Sequence, residues 1–235
     1  MLPKIFPPYP DRNDVDLHAI LHPAKEVGGD LYDFYMDDNH LYFLIGDVSG
    51  KGVPASLFMA ITRSLFRTLS QHVLSPAKIV TEMNNSISDN NESNMFVTLI
   101  VGILDLETGI LKLCNAGHNP PILIYPDGQV SYLEFKTQIF VGVVEDFKYS
   151  DEEVVLEKES KLFLYTDGVT EAENINKELY GEEKLLEMLS DNASSDVRTT
   201  VNVVVDSIAS HVKEAEASDD LTILLIQYEP GTANS

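Results

Sequence analysis

The sequence is short of cysteine and of long apolar runs, and each shortage excludes a class of protein. Cys114 is the only cysteine among the 235 residues. No internal disulfide can form, a reducing compartment is plausible, and we interpret Cys114 as a small core residue. No apolar run approaches the ~18 residues of a membrane span, and the N-terminus lacks a basic segment followed by an apolar one. We therefore expect a cytoplasmic protein with no direct membrane insertion.

Basic residues are also scarce, with 16 Lys and Arg against 38 Asp and Glu, which gives a formal net charge of -22. Such a surface repels nucleic acid and anionic lipid, so neither is an expected partner. It would also raise the local concentration of divalent cations. The length and the 44% of hydrophobic residues suit one globular domain. We predict that it spans residues 15–229, after a proline-rich linker or N-terminal extension at 1–14 and before a disordered tail at 230–235.

Apolar periodicity predicts antiparallel strands interrupted by helices. The first helix is expected from Pro54 to about Leu74, with an apolar face of Leu57, Ile61, Leu65 and Leu69. A second helix follows Ser75, a short one lies around residues 182–189, and Asp196 caps the last. The expected strands cover 15–22, 31–36, 41–45, 95–104, 110–114, 122–125, 130–133, 154–156, 162–165 and 221–226.

A glycine-rich turn follows the third predicted strand and reads Gly46-Asp47-Val48-Ser49-Gly50-Lys51-Gly52. A phosphate-binding P-loop would need four residues between its first glycine and Gly-Lys, and Ser or Thr next. Here the spacing is three residues and a glycine follows the lysine, so we reject a P-loop. The turn instead presents the carboxylate of Asp47 at a strand end.

Three further acidic positions lie at strand ends beside small residues: Asp30, Asp167, and Asp219 with its neighbour Asp220. An Asp in a turn usually bonds its own backbone, but four such positions that converge would need a cation to remain ionised. Oxygen-only ligands favour Mg²⁺ or Mn²⁺ over Zn²⁺. Two such ions, roughly 3.5–4 Å apart, would hold a bridging water for attack on phosphorus. The chemistry indicated is hydrolysis of a phosphate ester.

Five ordered motifs carry a family resemblance: residues 27–30 (VGGD), 46–52 (GDVSGKG), 115–120 (NAGHNP), 165–172 (YTDGVTEA) and 219–222 (DDLT). In order and spacing they resemble the bacterial PP2C-like (PPM) serine phosphatases of the SpoIIE and RsbU type. The resemblance implies an α+β fold, the PP2C-like αββα sandwich, in which two antiparallel sheets are flanked by helices. It also implies a metal-dependent protein serine/threonine phosphatase acting in signal transduction.

The resemblance further implies roles for individual residues. Asp47 is expected to bridge two Mn²⁺ or Mg²⁺ ions, with the carbonyl of Val48 on the first ion. Asp167 and Asp219 are expected on the second ion, and Asp30 on the first ion or its water. The catalytic set is thus Asp30, Asp47, Asp167 and Asp219. The last motif favours Asp219 over Asp220 as the ligand, and both stay candidates.

The expected substrate is a phosphoserine or phosphothreonine protein, and the resemblance suggests a STAS-domain antagonist of an anti-sigma factor, as in stress responses. An upstream sensor or receiver domain, an activating partner or a homodimer are further possibilities. Residues 1–3 (MLP) resemble the seam to such an upstream domain. The alternatives are a catalytically silent or inhibited module that binds a phosphorylated partner, and a hydrolase of nucleotides or small phosphates.

Two conspicuous residues stay outside the catalytic set. His118 could protonate a leaving group, but in its turn we interpret it as satisfying backbone groups. Lys51 either contacts the substrate phosphate from the glycine-rich turn or is simply solvated. Ser49 lacks the Gly-x-Ser-x-Gly elbow of serine hydrolases, which excludes that mechanism.

Overall fold

The computed structural model describes residues 12–89, 91 and 94–230, and these residues form ten strands and four helices. The strands are Val15–His22 (β1), Leu31–Asp37 (β2), His40–Val48 (β3), Val97–Asp105 (β4), Ile110–Ala116 (β5), Ile122–Ile124 (β6), Val130–Tyr132 (β7), Glu152–Val155 (β8), Lys161–Tyr165 (β9) and Leu221–Tyr228 (β10). The helices are Val53–Leu69 (α1), Pro76–Ser88 (α2), Glu182–Asp191 (α3) and Val197–Val212 (α4).

The predicted N-terminal seam at residues 1–3, most of the predicted linker and residues 231–235 of the predicted tail lie outside the described residues. The domain boundaries therefore stay predictions. Within the described part of the chain, no helix combines the length and the apolar character that crossing a membrane requires.

The strands form two antiparallel sheets of five strands each. The first has the order β1-β10-β9-β6-β7 and the second β2-β3-β4-β5-β8. Because successive side chains of a strand point to opposite faces, each sheet buries one face against the other sheet and one against helices. In β3, Phe43 and Ile45 lie between the sheets, whereas Tyr42 and Leu44 face α1 and α2. Helices α3 and α4 cover the first sheet, which confirms the αββα sandwich.

The predicted first helix is confirmed as α1, but its end was wrong and its apolar face was only half right, because Leu65 and Leu69 pack partly buried against the core. It ends at Leu69, where the backbone N–H of Ser70 bonds to the carbonyl of Phe66. Leu57 and Ile61, expected in the core, are 62% and 55% exposed. The buried residues of α1 are Ala55, Thr62 and Phe66.

Polar contacts explain this rotation of α1. The Thr62 hydroxyl donates to the carbonyl of Phe58, which removes most of the cost of burying it. Ser56 Oγ donates to the carbonyl of Gly28 at 2.9 Å, and Arg67 bonds to Asp33 on β2. The contacts of Ser56 and Arg67 join distant parts of the chain, so the local apolar period could not reveal them.

The other helices follow their sequence signals. The Ser75 side chain accepts from the backbone N–H of Lys78 at the start of α2, and Asp196 accepts from Thr199 at the start of α4. Ile79, Val80, Met83 and Ile87 of α2 are buried as predicted.

Two hairpin-like pairs bring the predicted acidic positions to one edge of the sandwich. The β2–β3 pair has Leu31 opposite Gly46, so Asp30 and Asp47 lie at the same end. The β9–β10 pair has Tyr165 opposite Ile223, so Asp167 and Asp219 flank that end of the other sheet. The strand ends of both sheets therefore meet around these carboxylates.

Candidate active site

Asp30 joins the two sheets at this edge. It directly precedes β2 and is 2% exposed. Its Oδ2 accepts hydrogen bonds from Thr166 Oγ1 at 2.7 Å and from Thr222 Oγ1 at 2.6 Å. Thr166 directly follows β9 and Thr222 lies in β10, so both belong to the other sheet. Burial, and then the charge of Asp47, raises the pKa of Asp30 well above its ordinary value. The two hydroxyls counteract this rise because they bond to the ionised form.

Asp47 lies next to the last residue of β3, among other carboxylates. Burial, followed by the charges of Asp167 and Asp219, raises the pKa of Asp47 to about 7. A hydrogen bond with the carboxyl of Asp30 offsets part of this rise. Like charges perturb one another strongly only at short range, so these couplings are consistent with the predicted convergence of Asp30, Asp47, Asp167 and Asp219, which stays a prediction.

Gly29 provides a backbone cradle beside Asp47. A Cβ at Gly29 would lie 2.8 Å from the carbonyl oxygen of Val48 and 3.4 Å from Asp47 Oδ1. Both of these oxygens, which the resemblance assigns to metal ions, thus face the same narrow space. A side chain at this position would crowd them, which explains the need for glycine here.

Asp219 and Asp220, which the sequence left as alternatives, have different surroundings. Asp220 is 6% exposed. Its Oδ1 accepts from the backbone N–H of Ala24 and its Oδ2 from those of Gly29 and Asp30, at 2.8, 2.8 and 3.3 Å. Asp220 therefore fixes the loop that enters β2. This leaves Asp219 as the better candidate of the two for holding an ion.

Lys51 contacts Asp219 across the site. Its Nζ lies 2.9 Å from Asp219 Oδ2 and 2.8 Å from the carbonyl of Ser218. The pKa of Asp167 is raised by burial and by Asp219, and the charge of Lys51 counteracts this. Gly50 and Gly52, on either side of Lys51, have φ of 90° and 80° and open space where a Cβ would lie. Lys51 thus lies in a turn whose two glycines have no neighbouring atoms packed against their Cβ positions.

His118 is 4% exposed, and burial lowers its pKa to about 4. Its Nδ1 shares a 2.9 Å hydrogen bond with the Thr98 hydroxyl. The backbone groups of the turn are satisfied by Asn115, whose side chain bonds to both the N–H and the carbonyl of His118. An interaction with the backbone of Tyr165 counteracts part of the lowering of the His118 pKa, which agrees with our interpretation that His118 satisfies a backbone group, although Asn115 satisfies the backbone of the turn itself.

The donor chemistry fits hard divalent ions, since the cluster offers carboxylate and carbonyl oxygens and the pKa values of Asp30, Asp47 and Asp167 are raised. The side chains are not yet arranged as a complete ligand set. Within the described residues, no three His, Cys, Asp or Glu side chains form a group that could hold a metal ion. In this arrangement Asp219 Oδ2 is paired with Lys51.

Three residues of the site were missed as functional candidates by the sequence reasoning. Thr166 and Thr222 anchor Asp30, and the pKa of Glu171 is raised by burial and then by the charges of Asp167 and Asp219. All three lie inside the quoted motifs. Their nearness to the four carboxylates in sequence was the available signal.

The described geometry agrees with the comparison to protein families. The model of the family described as Stage II sporulation protein E (SpoIIE) matches residues 37–229, which is most of the chain. The chain belongs to the SpoIIE family. Its domain is accordingly a PP2C-like phosphatase domain of the SpoIIE/RsbU type.

A curated relative of this SpoIIE-family domain is the phosphoserine phosphatase RsbU of Bacillus subtilis (strain 168), which is 27% identical over 219 residues. The match covers 93% of this chain and 64% of RsbU. The chain spans less than two thirds of the length of each of the first curated relatives it matches.

Solved structures show the same fold. The SiaA-PP2C domain of Pseudomonas aeruginosa superposes with a TM-score of 0.82 at 22% identity, covering 91% of this chain and 86% of that one. A crystal structure of RsbX in complex with magnesium superposes with a TM-score of 0.71 at 18% identity, and the match covers 93% of this chain and 98% of that one. At these identities the likeness concerns the fold alone.

Proposed function

We propose that this SpoIIE-family domain is a Mn²⁺- or Mg²⁺-dependent phosphatase that hydrolyses phosphoserine or phosphothreonine in a protein. The observation that carries the proposal is that Asp30, Asp47, Asp167 and Asp219 lie at one edge of the sandwich, where burial and then the charges of Asp167 and Asp219 raise the pKa of Asp47 to about 7. The phosphoserine phosphatase RsbU among its relatives supports the same reaction.

In this proposal Asp47, Asp167, Asp219 and the carbonyl of Val48 hold two ions, with Asp30 beside the first. Bound divalent ions would lower the pKa of a water molecule and stabilise the charge that develops on the phosphate. Thr166, Thr222 and Asp220 keep the two sheet edges in register, because their hydrogen bonds join β2 and the loop before it to β9 and β10. Lys51 is the residue of the glycine-rich turn that can approach the substrate phosphate once it leaves Asp219.

The substrate we propose is a phosphoprotein of the STAS-domain type that antagonises an anti-sigma factor, in a cytoplasmic signalling pathway. Support comes from the family and from RsbU. An upstream sensor or receiver domain, an activating partner or a homodimer would supply the signal. The relatives' greater length is compatible with such an additional domain.

The test is phosphate release from an aryl phosphate and from a phosphoserine protein, with Mn²⁺ and then with chelator. We expect hydrolysis that chelator abolishes and that Asp47→Ala lowers by at least two orders of magnitude. Activity that survives both treatments would refute the proposal. Competition between a nucleotide and the phosphoprotein separates a small-molecule hydrolase, which would prefer the nucleotide.

One observation favours a second candidate, an inhibited module that binds a phosphorylated partner. Lys51 engages Asp219, and the carboxylates do not form a complete ligand group in the described residues. If this module is inactive, the phosphoprotein should bind in the presence of Mn²⁺ without releasing phosphate.

A further inference from the structure

A groove of about 650 Å³ leads away from the carboxylate cluster along α1. One end is lined by Asp30 and Gly28, and Arg63 and Arg67 line it further along the helix. Val27 and Met59 contribute apolar surface between them. The groove is therefore continuous with the proposed active site.

The two arginines of this groove differ in the number of hydrogen bonds that they form within the protein. Arg67 bonds to both carboxylate oxygens of Asp33 through Nε and Nη2, each at 2.6 Å, and its Nη2 also donates to the carbonyl of Phe34. Its guanidinium lies 4.8 Å from the centre of the Tyr35 ring. The buried Asp33 thus already has its counter-charge.

Arg63 makes a single additional contact to that carboxylate, from Nε to Asp33 Oδ2 at 3.0 Å. Within the described residues, no other hydrogen bond of Arg63 is formed, and its side chain is 25% exposed toward the groove. Two cations share one buried anion, which leaves one positive charge on this wall of an otherwise strongly acidic protein. Glu26 on the opposite wall is exposed, so its charge is screened more by solvent.

We infer that Arg63 is a specificity-determining residue that binds an acidic side chain of the substrate near its phosphoserine. The outer nitrogens of a guanidinium form a planar fork that matches a carboxylate. The inference rests on the proposed function and adds to it the sequence preference of the substrate.

The helix geometry gives the expected position of this acidic residue. Ser56 marks the active-site end of the groove, because its hydroxyl donates to the carbonyl of Gly28. Arg63 lies seven residues further along α1, which corresponds to about 10 Å of helix. An extended peptide covers this distance in about three residues. The acidic side chain should therefore be three residues from the phosphoserine, on one side of it.

The test uses phosphoserine peptides that carry Asp, Ala or Lys three residues before or after the phosphoserine, with Mn²⁺ and low salt. For the unmodified chain we expect a kcat/KM about tenfold higher for Asp than for Ala in one of the two series, mostly through KM. Arg63→Gln should abolish this preference and Arg63→Lys should retain part of it. The charge-matched control is Arg198→Gln, on the exposed surface of α4, which should retain the preference in full.

Hydrolysis of an aryl phosphate, which is too short to reach Arg63, provides the reference for each variant. Equal losses on the aryl phosphate and on all peptides would mean that Arg63 only supports the fold, and would overturn the inference. A preference for Lys would also overturn the inference. It would indicate that the peptide binds in the groove beside Asp219, which Glu173 and Glu216 line.

If the domain hydrolyses neither ester, the proposed function fails, and the inference is tested separately by fluorescence anisotropy. The Asp peptide should then bind more tightly than the Ala peptide, and Arg63→Gln should remove the difference. Equal binding of both peptides would refute the role of Arg63 independently of catalysis.

Discussion

Replacement of Asp47 by Asn tests the physical basis of the proposed site, which is the cost of an ionised carboxylate that is buried and has like-charged neighbours. The pKa of Asp47 rises from 3.8 to about 7 on folding, which corresponds to about 4 kcal/mol of unfavourable free energy once the group is ionised. Between these two pH values the folded state binds more protons than the unfolded state. The stability that protonated Asp47 contributes is therefore fully present below about pH 4 and is lost as the pH rises through about 7.

The magnitude can be measured by urea unfolding with chelator present. At pH 8 we expect Asp47→Asn to stabilise the protein by about 2–4 kcal/mol, which shifts the urea midpoint by about 1 M. Lowering the pH from 8 to 6 should stabilise the unmodified protein by at least about 1 kcal/mol, and should do so less in Asp47→Asn.

Two controls make this result specific. Asp206→Asn, on the exposed part of α4, changes the net charge equally and should shift the midpoint much less. Saturating Mn²⁺, at about 100 times its Kd, should stabilise the unmodified protein by about 2.7 kcal/mol and the Asp47 variant less. If Asp47→Asn leaves the pH 8 midpoint unchanged or lowers it, burial and the neighbouring charges do not destabilise the ionised Asp47 and the reasoning fails.

Three further predictions concern single contacts. Lys51→Met should tighten Mn²⁺ binding a few-fold by calorimetry, because the exposed ion pair with Asp219 that it removes contributes roughly 0.2–1 kcal/mol. Replacement of the exposed Lys25 by Met should not tighten binding, and equal tightening in both variants would indicate only a net-charge effect. Asp220→Ala should lower the free energy of unfolding by about 2–3 kcal/mol, because it leaves buried N–H groups unpaired; an unchanged urea midpoint would contradict the loop-fixing role. Phe66→Ala should lower the free energy of unfolding by about 3–5 kcal/mol, and Leu57→Ser should lower it by less than about 0.5 kcal/mol. The reverse order would mean that α1 presents its other face to the core.

The convergence of the carboxylates was predictable because it depends on local patterns. Apolar runs fix the strands, and an Asp beside glycine at a strand end lies at a sheet edge once neighbouring strands pair antiparallel. The Leu31–Gly46 register follows from the hairpin between β2 and β3. These signals are contained in a few consecutive residues, so a single sequence displays them.

The roles of adjacent Asp219 and Asp220 could not be derived from local patterns. Both are acidic and both precede the same strand. What separates them is that the backbone N–H groups of residues 24 and 29–30, nearly 200 positions away, surround only Asp220. The family resemblance favoured Asp219 without providing this reason. The rotation of α1 has the same origin, because its contacts to Gly28 and Asp33 link distant segments.

The structure divides the acidic residues of this edge into two physical groups. Asp220 and Asp33 are buried and satisfied by hydrogen bonds or arginines, so they hold β2 and its neighbours in place. Asp47 and Asp167 are crowded by like charges, and the only counter-charge on Asp219 among the described residues is the exposed Lys51. Because the first group fixes the backbone, the second cannot relieve its repulsion by moving apart. In the proposed site a divalent ion would relieve it instead, so we expect the rigidity of the satisfied carboxylates to favour metal binding by the crowded ones.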